Sequence, residues 1–186
     1  MSRLILNSKQ VELTINRLCH QLIENHDDFS QTCILGLQNK GVFVSQQICK
    51  RLKELLPKAT FRHGTLDITF YRDDYRRRDT LVVPGTTQVD FSIENQKVIL
   101  VDDVLYTGRT IRAAMDALLA FGRPSKVELL VFIDRKYSRH LPIEPDYTGK
   151  AIDTIDSDTV KVIVNTKENG VWLNTQPKKN AGTAKR

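Results

Sequence analysis

The chain has 186 residues, 40% of them apolar, which is enough for one continuous core and too short for two domains of usual size. No stretch approaches the roughly 20 consecutive apolar residues of a membrane span, and no apolar signal sequence follows the first basic residue, so we expect a cytoplasmic protein. The net charge of +6 and the isoelectric point of about 9.3 indicate an anionic partner, either a phosphorylated metabolite or a nucleic acid.

The C-terminal residues 176–186 differ in composition from the rest of the chain. Four basic residues stand there among small and polar ones: Lys178, Lys179, Lys185 and Arg186. Such a segment cannot bury a core, so we expect residues 1–175 to form the domain and residues 176–186 to be a disordered basic tail. Auxiliary RNA contact by the tail is the alternative.

Helical and extended patterns alternate through the first half of the chain. A helix is predicted from Ser8 to Glu24 with Asn7 as its N-cap, followed by a strand over Thr32 to Leu37. A second helix follows the turn at residues 38–41 and runs to about Leu56, where Pro57 ends it. Alternation of apolar and polar residues predicts a strand over residues 65–71.

The second half of the chain begins with the sharpest β-turn-α pattern. Residues 98–101 form an apolar strand, 102–109 a turn and 110–121 a helix, and another apolar strand covers 126–134. Strands that are apolar on both faces and alternate with helices predict an α/β fold with a mainly parallel sheet flanked by helices. Beyond Arg135 the chain is irregular and polar until a strand at 159–165, and Asn169-Gly170 indicates a closing hairpin next to that strand.

The turn after the strand at residues 98–101 has the features of a sugar-phosphate site. Ligands of open parallel sheets bind beyond the carboxyl ends of the strands. Thr107, Gly108 and Thr110 stand at a helix start. Free backbone N–H groups there and the hydroxyls of the two threonines can hold a phosphate. Asp102 and Asp103 beside them can accept hydrogen bonds from vicinal ribose hydroxyls, although an aspartate pair at a strand end can also cap a turn.

The segment Val98-Ile-Leu-Val-Asp-Asp-Val-Leu-Tyr-Thr-Gly-Arg-Thr110 resembles the phosphoribosyl-diphosphate signature of type I phosphoribosyltransferases. Other segments resemble the bifunctional family of pyrimidine-operon attenuators and uracil phosphoribosyltransferases: Asp67-Ile-Thr-Phe-Tyr-Arg-Asp-Asp74, Gly122-Arg-Pro-Ser125, Leu141-Pro-Ile143 and Asp146-Tyr-Thr-Gly-Lys150. The resemblance runs from about Leu4 to Leu173. It implies the type I fold with a small hood, a homodimer or higher homo-oligomer, and transfer of a phosphoribosyl group to uracil, which yields UMP.

The resemblance also implies roles for individual residues. Asp102 and Asp103 would hold the ribose hydroxyls, while Tyr106, Thr107, Gly108, Arg109 and Thr110 would bind the 5-phosphate. Asn39, Lys40 and Gly41 would bind the diphosphate, commonly through a non-proline cis peptide. Mg²⁺ would be held mainly by the substrate, with Asp102 or Asp103 as candidate protein ligands.

A long segment without periodicity, residues 71–87, is the candidate lid over the diphosphate. It contains Arg72, which we place among the catalytic residues, and further arginines at 76, 77 and 78. A charged solvated loop is the alternative. On the base side the resemblance points to Asp134 and Arg135, although residues 136–140 read Lys-Tyr-Ser-Arg-His where the family usually has Gly-His-Arg-Glu.

Two functional questions stay open in the sequence. The family binds operon leader RNA on a basic surface, and Arg17, His20, Arg139 and Lys150 match its pattern. Asn16 and Glu144 depart from that pattern, and a glutamate would weaken binding to RNA phosphates. The alternatives are therefore a phosphoribosyltransferase without RNA regulation, and one that acts on a purine base.

Overall fold

The protein is built on a five-stranded parallel sheet and a smaller three-stranded antiparallel sheet. The computed structural model describes residues 2–72, 85–164 and 168–175. In chain order the elements are β1 (Ser2–Leu6), α1 (Ser8–His26), β2 (Thr32–Leu37), α2 (Gly41–Leu55), β3 (Arg62–Leu66), β4 (Lys97–Leu105), α3 (Arg109–Leu118), β5 (Lys126–Lys136), β6 (Tyr147–Asp153), β7 (Asp158–Ile163) and β8 (Gly170–Thr175).

The parallel sheet has the strand order β3-β2-β4-β5-β6, which places β4 at its centre. All six residues of β2 are buried, and residues 98–102 of β4 are buried as well, because helices cover both faces. The core on one face contains buried residues of α1 and α2, and the core on the other face contains those of α3. This arrangement confirms the predicted α/β fold.

The antiparallel sheet has the order β1-β8-β7 and joins the two ends of the domain. The pairing of β7 with β8 confirms the hairpin predicted at Asn169-Gly170. Strand β1 was not expected from the sequence. It is short and pairs with β8, and so depends on residues at the other end of the chain.

The first two helices begin where the sequence predicts. Asn7 caps α1 through a capping box, in which its side chain accepts from the Gln10 amide and the Gln10 side chain accepts from the Asn7 amide, each at 2.9 Å. Helix α2 begins at Gly41 and ends at Leu55, two residues before Pro57. None of the helices described is long and apolar enough to cross a membrane.

Three predicted segments were wrong in part. The strand expected over residues 65–71 ends at Leu66, because Asp67 Oδ1 accepts hydrogen bonds from the amide and hydroxyl of Thr69 and a 3₁₀ turn follows over Thr69–Tyr71. Strand β4 continues to Leu105 through its pairing with β5, so Asp102 and Asp103 lie on the strand rather than in a turn. The irregular region expected after residue 135 contains the parallel edge strand β6.

The three cysteines, Cys19, Cys33 and Cys49, are free and buried. Burial raises the pKa of the Cys33 thiol to about 11 and those of Cys19 and Cys49 to about 12, so all three are poor nucleophiles near neutral pH. The basic tail at 176–186 lies outside the described residues.

Candidate active site

Two adjacent carboxylates occupy the C-terminal end of the central strand β4. Asp102 is buried and Asp103 is partly buried, and the Asp103 amide donates to Asp102 Oδ1 at 2.9 Å. Burial, together with the charge of Asp103, raises the pKa of Asp102 well above its ordinary value. Burial also raises the pKa of Asp103, an effect that the charge of Lys40 opposes. Hydrogen-bond donors or a cation arriving here would favour the charged form of both side chains.

The turn between β2 and α2 approaches these carboxylates from the neighbouring strand. Lys40 Nζ lies 3.9 Å from Asp103 Oδ2. The peptide bond between Gln38 and Asn39 is cis, the conformation that the family resemblance implies. A Cβ atom on Gly41 would lie 2.4 Å from the Val101 carbonyl oxygen, so only glycine lets the turn pack this closely against β4.

The loop that follows β4 turns into α3 at Gly108. The φ angle of Gly108 is 89°, in the left-handed region that favours glycine, and α3 begins at the next residue. The first amide groups of α3 therefore stand at the predicted phosphate position with the hydroxyls of Thr107 and Thr110. A Cβ on Gly108 would lie 3.1 Å from Ile143 Cδ1, so the segment Leu141–Ile143 packs against this loop.

Arg72, the predicted catalytic arginine, lies beside the start of α3. Its Nη1 donates to Thr110 Oγ1 at 3.2 Å, and its charge opposes the effect of burial on the pKa of Asp102. The structure thus brings Arg72 to the aspartate pair and to the phosphate loop. Residues 73–84 of the predicted lid, which include its three further arginines, lie outside the described residues.

The predicted base-side residues Asp134 and Arg135 are both buried at the end of β5. The Arg135 guanidinium stacks on the Tyr106 ring at 3.9 Å from its centroid, and donates to Thr154 Oγ1 and to the Ile155 carbonyl oxygen. Asp134 pairs with Arg139. Both side chains are bonded to other protein groups in the wall of the site, so their direct contact with a base stays a prediction.

The segment after β5, where the sequence departs from the family pattern, leaves the sheet at Tyr137. This residue has a φ of 62° and is 88% exposed. Arg139 follows, and its guanidinium bonds to backbone oxygens on both sides of the site. This arginine was not expected at the site from the sequence, since most of its partners are backbone carbonyl groups that no sequence motif marks.

Comparisons with known proteins agree with this geometry. The family model of the phosphoribosyl transferase domain matches residues 3–168. The Bifunctional protein PyrR of Gloeothece citriformis is 42% identical over 158 residues, which cover 85% of this chain and 88% of that protein. The protein of the same name from Pasteurella multocida is 44% identical over 165 residues, or 87% of this chain and 90% of that protein. The chain belongs to the PyrR family of phosphoribosyltransferases.

Solved structures outside the PyrR family share the fold. A hypoxanthine phosphoribosyltransferase from Staphylococcus aureus superimposes with a TM-score of 0.61 over 81% of this chain and 77% of that chain, at 18% identity. The enzyme from Trypanosoma cruzi in complex with the product IMP has a TM-score of 0.61 over 81% of this chain and 76% of that chain, at 14% identity. At such identities the likeness establishes the type I fold alone.

The donor set fits the Mg²⁺ that phosphoribosyltransferases use. Asp102 and Asp103 are adjacent carboxylates whose pKa values are raised by burial, and a divalent cation would relieve the repulsion between them. In the described ranges no group of three or more His, Cys, Asp or Glu side chains could hold a metal ion.

Three of the four predicted RNA-contacting residues form one surface between α1 and the edge strand β6. Arg17, His20 and Lys150 are exposed, and Arg17 Nη2 donates to the carbonyl oxygens of Thr148 and Gly149 at 3.1 and 2.5 Å. Arg139 is different, because its side chain is only 22% exposed and its guanidinium nitrogens bond to groups in the walls of the candidate site. We therefore restrict the proposed RNA surface to Arg17, His20 and Lys150.

Proposed function

We propose that this protein transfers the phosphoribosyl group of phosphoribosyl diphosphate to uracil and releases UMP and diphosphate. The observation that supports this proposal most directly is the position of the Asp102-Asp103 pair between two anion-binding elements. The Lys40 turn lies on one side of the pair, and the loop at Gly108 lies on the other. This spacing suits a sugar whose diphosphate and 5-phosphate point in opposite directions.

The reaction joins uracil N1, which gives up its proton, to ribose C1 as the bond from C1 to the diphosphate oxygen breaks and diphosphate leaves with the bonding electrons. Positive charge develops on the ribose ring, next to Asp102 and Asp103, which hold its hydroxyls and stabilise that charge. Lys40 neutralises the leaving diphosphate, and Arg72 lies where it can exclude water from the ribose. When bound, Mg²⁺ would supply further charge neutralisation to the diphosphate, with Asp102 and Asp103 as its candidate protein contacts.

Uracil is favoured over a purine base by the pattern of relatedness. Relatives about 40% identical over most of the chain carry the PyrR name, whereas the hypoxanthine enzymes are 14–18% identical. The test is an acceptor assay with uracil, hypoxanthine and guanine at fixed phosphoribosyl diphosphate and Mg²⁺. Product formation from uracil alone supports the proposal, and preferential turnover of a purine would replace it.

The second proposed activity is binding of pyrimidine-operon leader RNA in response to UMP. The exposed Arg17 and Lys150 provide positive charge beside the sheet edge, His20 is exposed on the same helix as Arg17, and the name of the relatives records two functions. The exposed Glu144 would reduce the attraction to phosphates. A catalytic protein without RNA regulation is the alternative.

Retention of a labelled leader RNA by the purified protein, with and without UMP and at two salt concentrations, separates these alternatives. Sequence-selective binding strengthened by UMP supports a regulator whose nucleotide site is the sensor. Binding that ignores UMP and disappears with salt would leave a phosphoribosyltransferase that is merely basic. A scrambled RNA of equal length is the control.

We further propose that the protein acts in the cytoplasm as a homodimer. The two-sided burial of the sheet is complete within one chain, so the proposed dimer would join folded subunits rather than complete the core. Sedimentation equilibrium over a concentration series measures the mass directly. A monomer at every concentration would contradict this part of the proposal.

A further inference from the structure

The guanidinium group of Arg139 makes several hydrogen bonds and one ion pair inside the protein. Its Nε donates to the Ile143 carbonyl oxygen at 3.0 Å, and its Nη1 donates to those of Tyr106 at 2.6 Å and Arg135 at 3.0 Å. Its Nη2 pairs with the carboxylate of Asp134. All three nitrogens are therefore used, and the side chain is 22% exposed.

These bonds connect the separate walls of the candidate site. Tyr106 belongs to the 5-phosphate loop, Asp134 and Arg135 end strand β5 on the base side, and Ile143 packs on Gly108 where α3 begins. A further bond joins the His140 amide to the Thr107 carbonyl oxygen at 3.1 Å. The position of the phosphate loop relative to the base side thus depends on the segment that carries Arg139.

Resting on the proposed phosphoribosyl transfer, we propose that Arg139 is a positioning residue. It holds the 5-phosphate loop at a fixed distance from the base-side wall, so that phosphate and base are bound at once. Arginine suits this position because its planar fork directs several donors at fixed angles. A lysine there would keep the charge beside Asp134 but could not reach three carbonyl groups.

A positioning role for Arg139 predicts which ligands would bind more weakly to its variants. UMP and phosphoribosyl diphosphate depend on the 5-phosphate loop, whereas free diphosphate binds at the Lys40 turn, which makes no bond to Arg139. Loss of the Arg139 guanidinium should therefore weaken the binding of UMP and phosphoribosyl diphosphate and leave that of free diphosphate unchanged. General unfolding would weaken all three equally.

The test compares Arg139→Gln and Arg139→Lys with the wild type and with Arg62→Gln as a matched control. Arg62 also donates to a backbone carbonyl, that of Ser92, but it begins strand β3 at the opposite end of the strands from the site. We would measure the KM for phosphoribosyl diphosphate, and by calorimetry the Kd values for UMP and for diphosphate with Mg²⁺, on protein shown to be folded by circular dichroism.

We expect both Arg139 variants to raise the KM and the UMP Kd about tenfold, with the diphosphate Kd and the Arg62→Gln constants unchanged. Recovery in Arg139→Lys would mean that charge alone matters and would overturn the proposal. Unchanged constants with lost RNA affinity would make Arg139 an RNA contact instead. If the wild type lacks turnover, the proposed function fails, yet the UMP and diphosphate constants still test Arg139.

Discussion

Lys40 and Asp103 face each other across the candidate site, with Nζ 3.9 Å from Oδ2. The Lys40 side chain is largely exposed, so its ammonium can turn from Asp103 to an incoming diphosphate at little cost. We predict that Lys40→Gln raises the KM for phosphoribosyl diphosphate about tenfold, because one charge-assisted contact is lost, whereas Lys40→Arg retains most of the affinity. Lys50→Gln, exposed on the helix α2 that follows Lys40, is the control. Equal KM values for Lys40→Gln and the wild type would remove Lys40 from the diphosphate site.

The contact of Gly41 with β4 predicts a stability effect at the site. In Gly41→Ala the new Cβ would meet the Val101 carbonyl oxygen at 2.4 Å and the Asp102 Cα at 3.0 Å, so α2 must shift away from the strand. We expect the free energy of unfolding to fall by about 1–3 kcal/mol, as for other overpacked sites. Urea titration measures it, with Lys50→Ala as the control on the same helix. A variant as stable as the wild type would mean that α2 is not held by this contact.

A buried cluster around His26, at the opposite end of the strands from the aspartate pair, makes stability depend on pH. His26 Nε2 lies 2.8 Å from Glu128 Oε2 and 3.2 Å from the Tyr147 hydroxyl, while its Nδ1 lies 3.1 Å from Thr32 Oγ1. Burial lowers the pKa of His26 despite the Glu128 charge, which acts in the opposite direction. The histidine is therefore neutral in the folded protein near pH 7.

Because the folded-state pKa of His26 is below its value in the unfolded chain, the unfolded chain binds more protons in the window between the two values. The free energy of unfolding should therefore decrease as the pH falls from about 7.5 to about 5.5. Urea titrations across this range test the prediction, and His26→Gln should show a flatter dependence. The same slope in both proteins would assign the effect to other groups.

The RNA surface is tested by adding charge as well as by removing it. Glu144→Arg should strengthen RNA binding and steepen the dependence of log K on log salt by about 0.7 for one added phosphate contact to single-stranded RNA. Asp90→Arg changes the charge equally in the loop beside β3, at the other edge of the sheet, and should have less effect. An equal gain in both variants would indicate non-specific attraction.

Removal of charge should separate RNA binding from catalysis. The double variant Arg17→Ala, His20→Ala loses two exposed residues of α1 that lie away from the aspartate pair. We expect weaker RNA binding at fixed salt and an unchanged kcat for UMP synthesis. Unaltered RNA affinity would exclude this surface of α1 as the binding site.

The parts of the fold that the sequence predicted well are those set by local pattern. Strand β2 is buried along its whole length and was predicted with the observed limits, since an apolar run of six residues between turns is too short for a typical helix and favours a buried strand. Edge strand β6 was missed because only Tyr147 and Ile152 of its seven residues are buried, so its sequence lacks a clear period. Its place in the sheet comes from pairing with β5 and packing under α1.

Some features of the candidate site could likewise be predicted from local sequence, whereas others depend on the folded chain. The phosphate loop and Asp102-Asp103 form one continuous segment, so their chemistry could be recognised from the sequence. The stacking of Arg135 on Tyr106 and the bonds of Arg139 to Tyr106 join segments about 30 residues apart, and their acceptors include backbone carbonyls. Only the folded chain brings these groups together, so these bonds of Arg139 could not be predicted, and the family resemblance implied only an RNA contact for it.

The central claim is that the end of strand β4 binds and activates phosphoribosyl diphosphate. The most direct measurement is UMP formation from uracil, phosphoribosyl diphosphate and Mg²⁺ by the wild type, Asp102→Asn and Asp103→Asn, each shown to be folded by circular dichroism. We predict turnover by the wild type and a loss of at least about 100-fold in kcat/KM for each variant, because the ribose loses an anionic partner. Full activity in both aspartate variants would contradict the proposed ribose site.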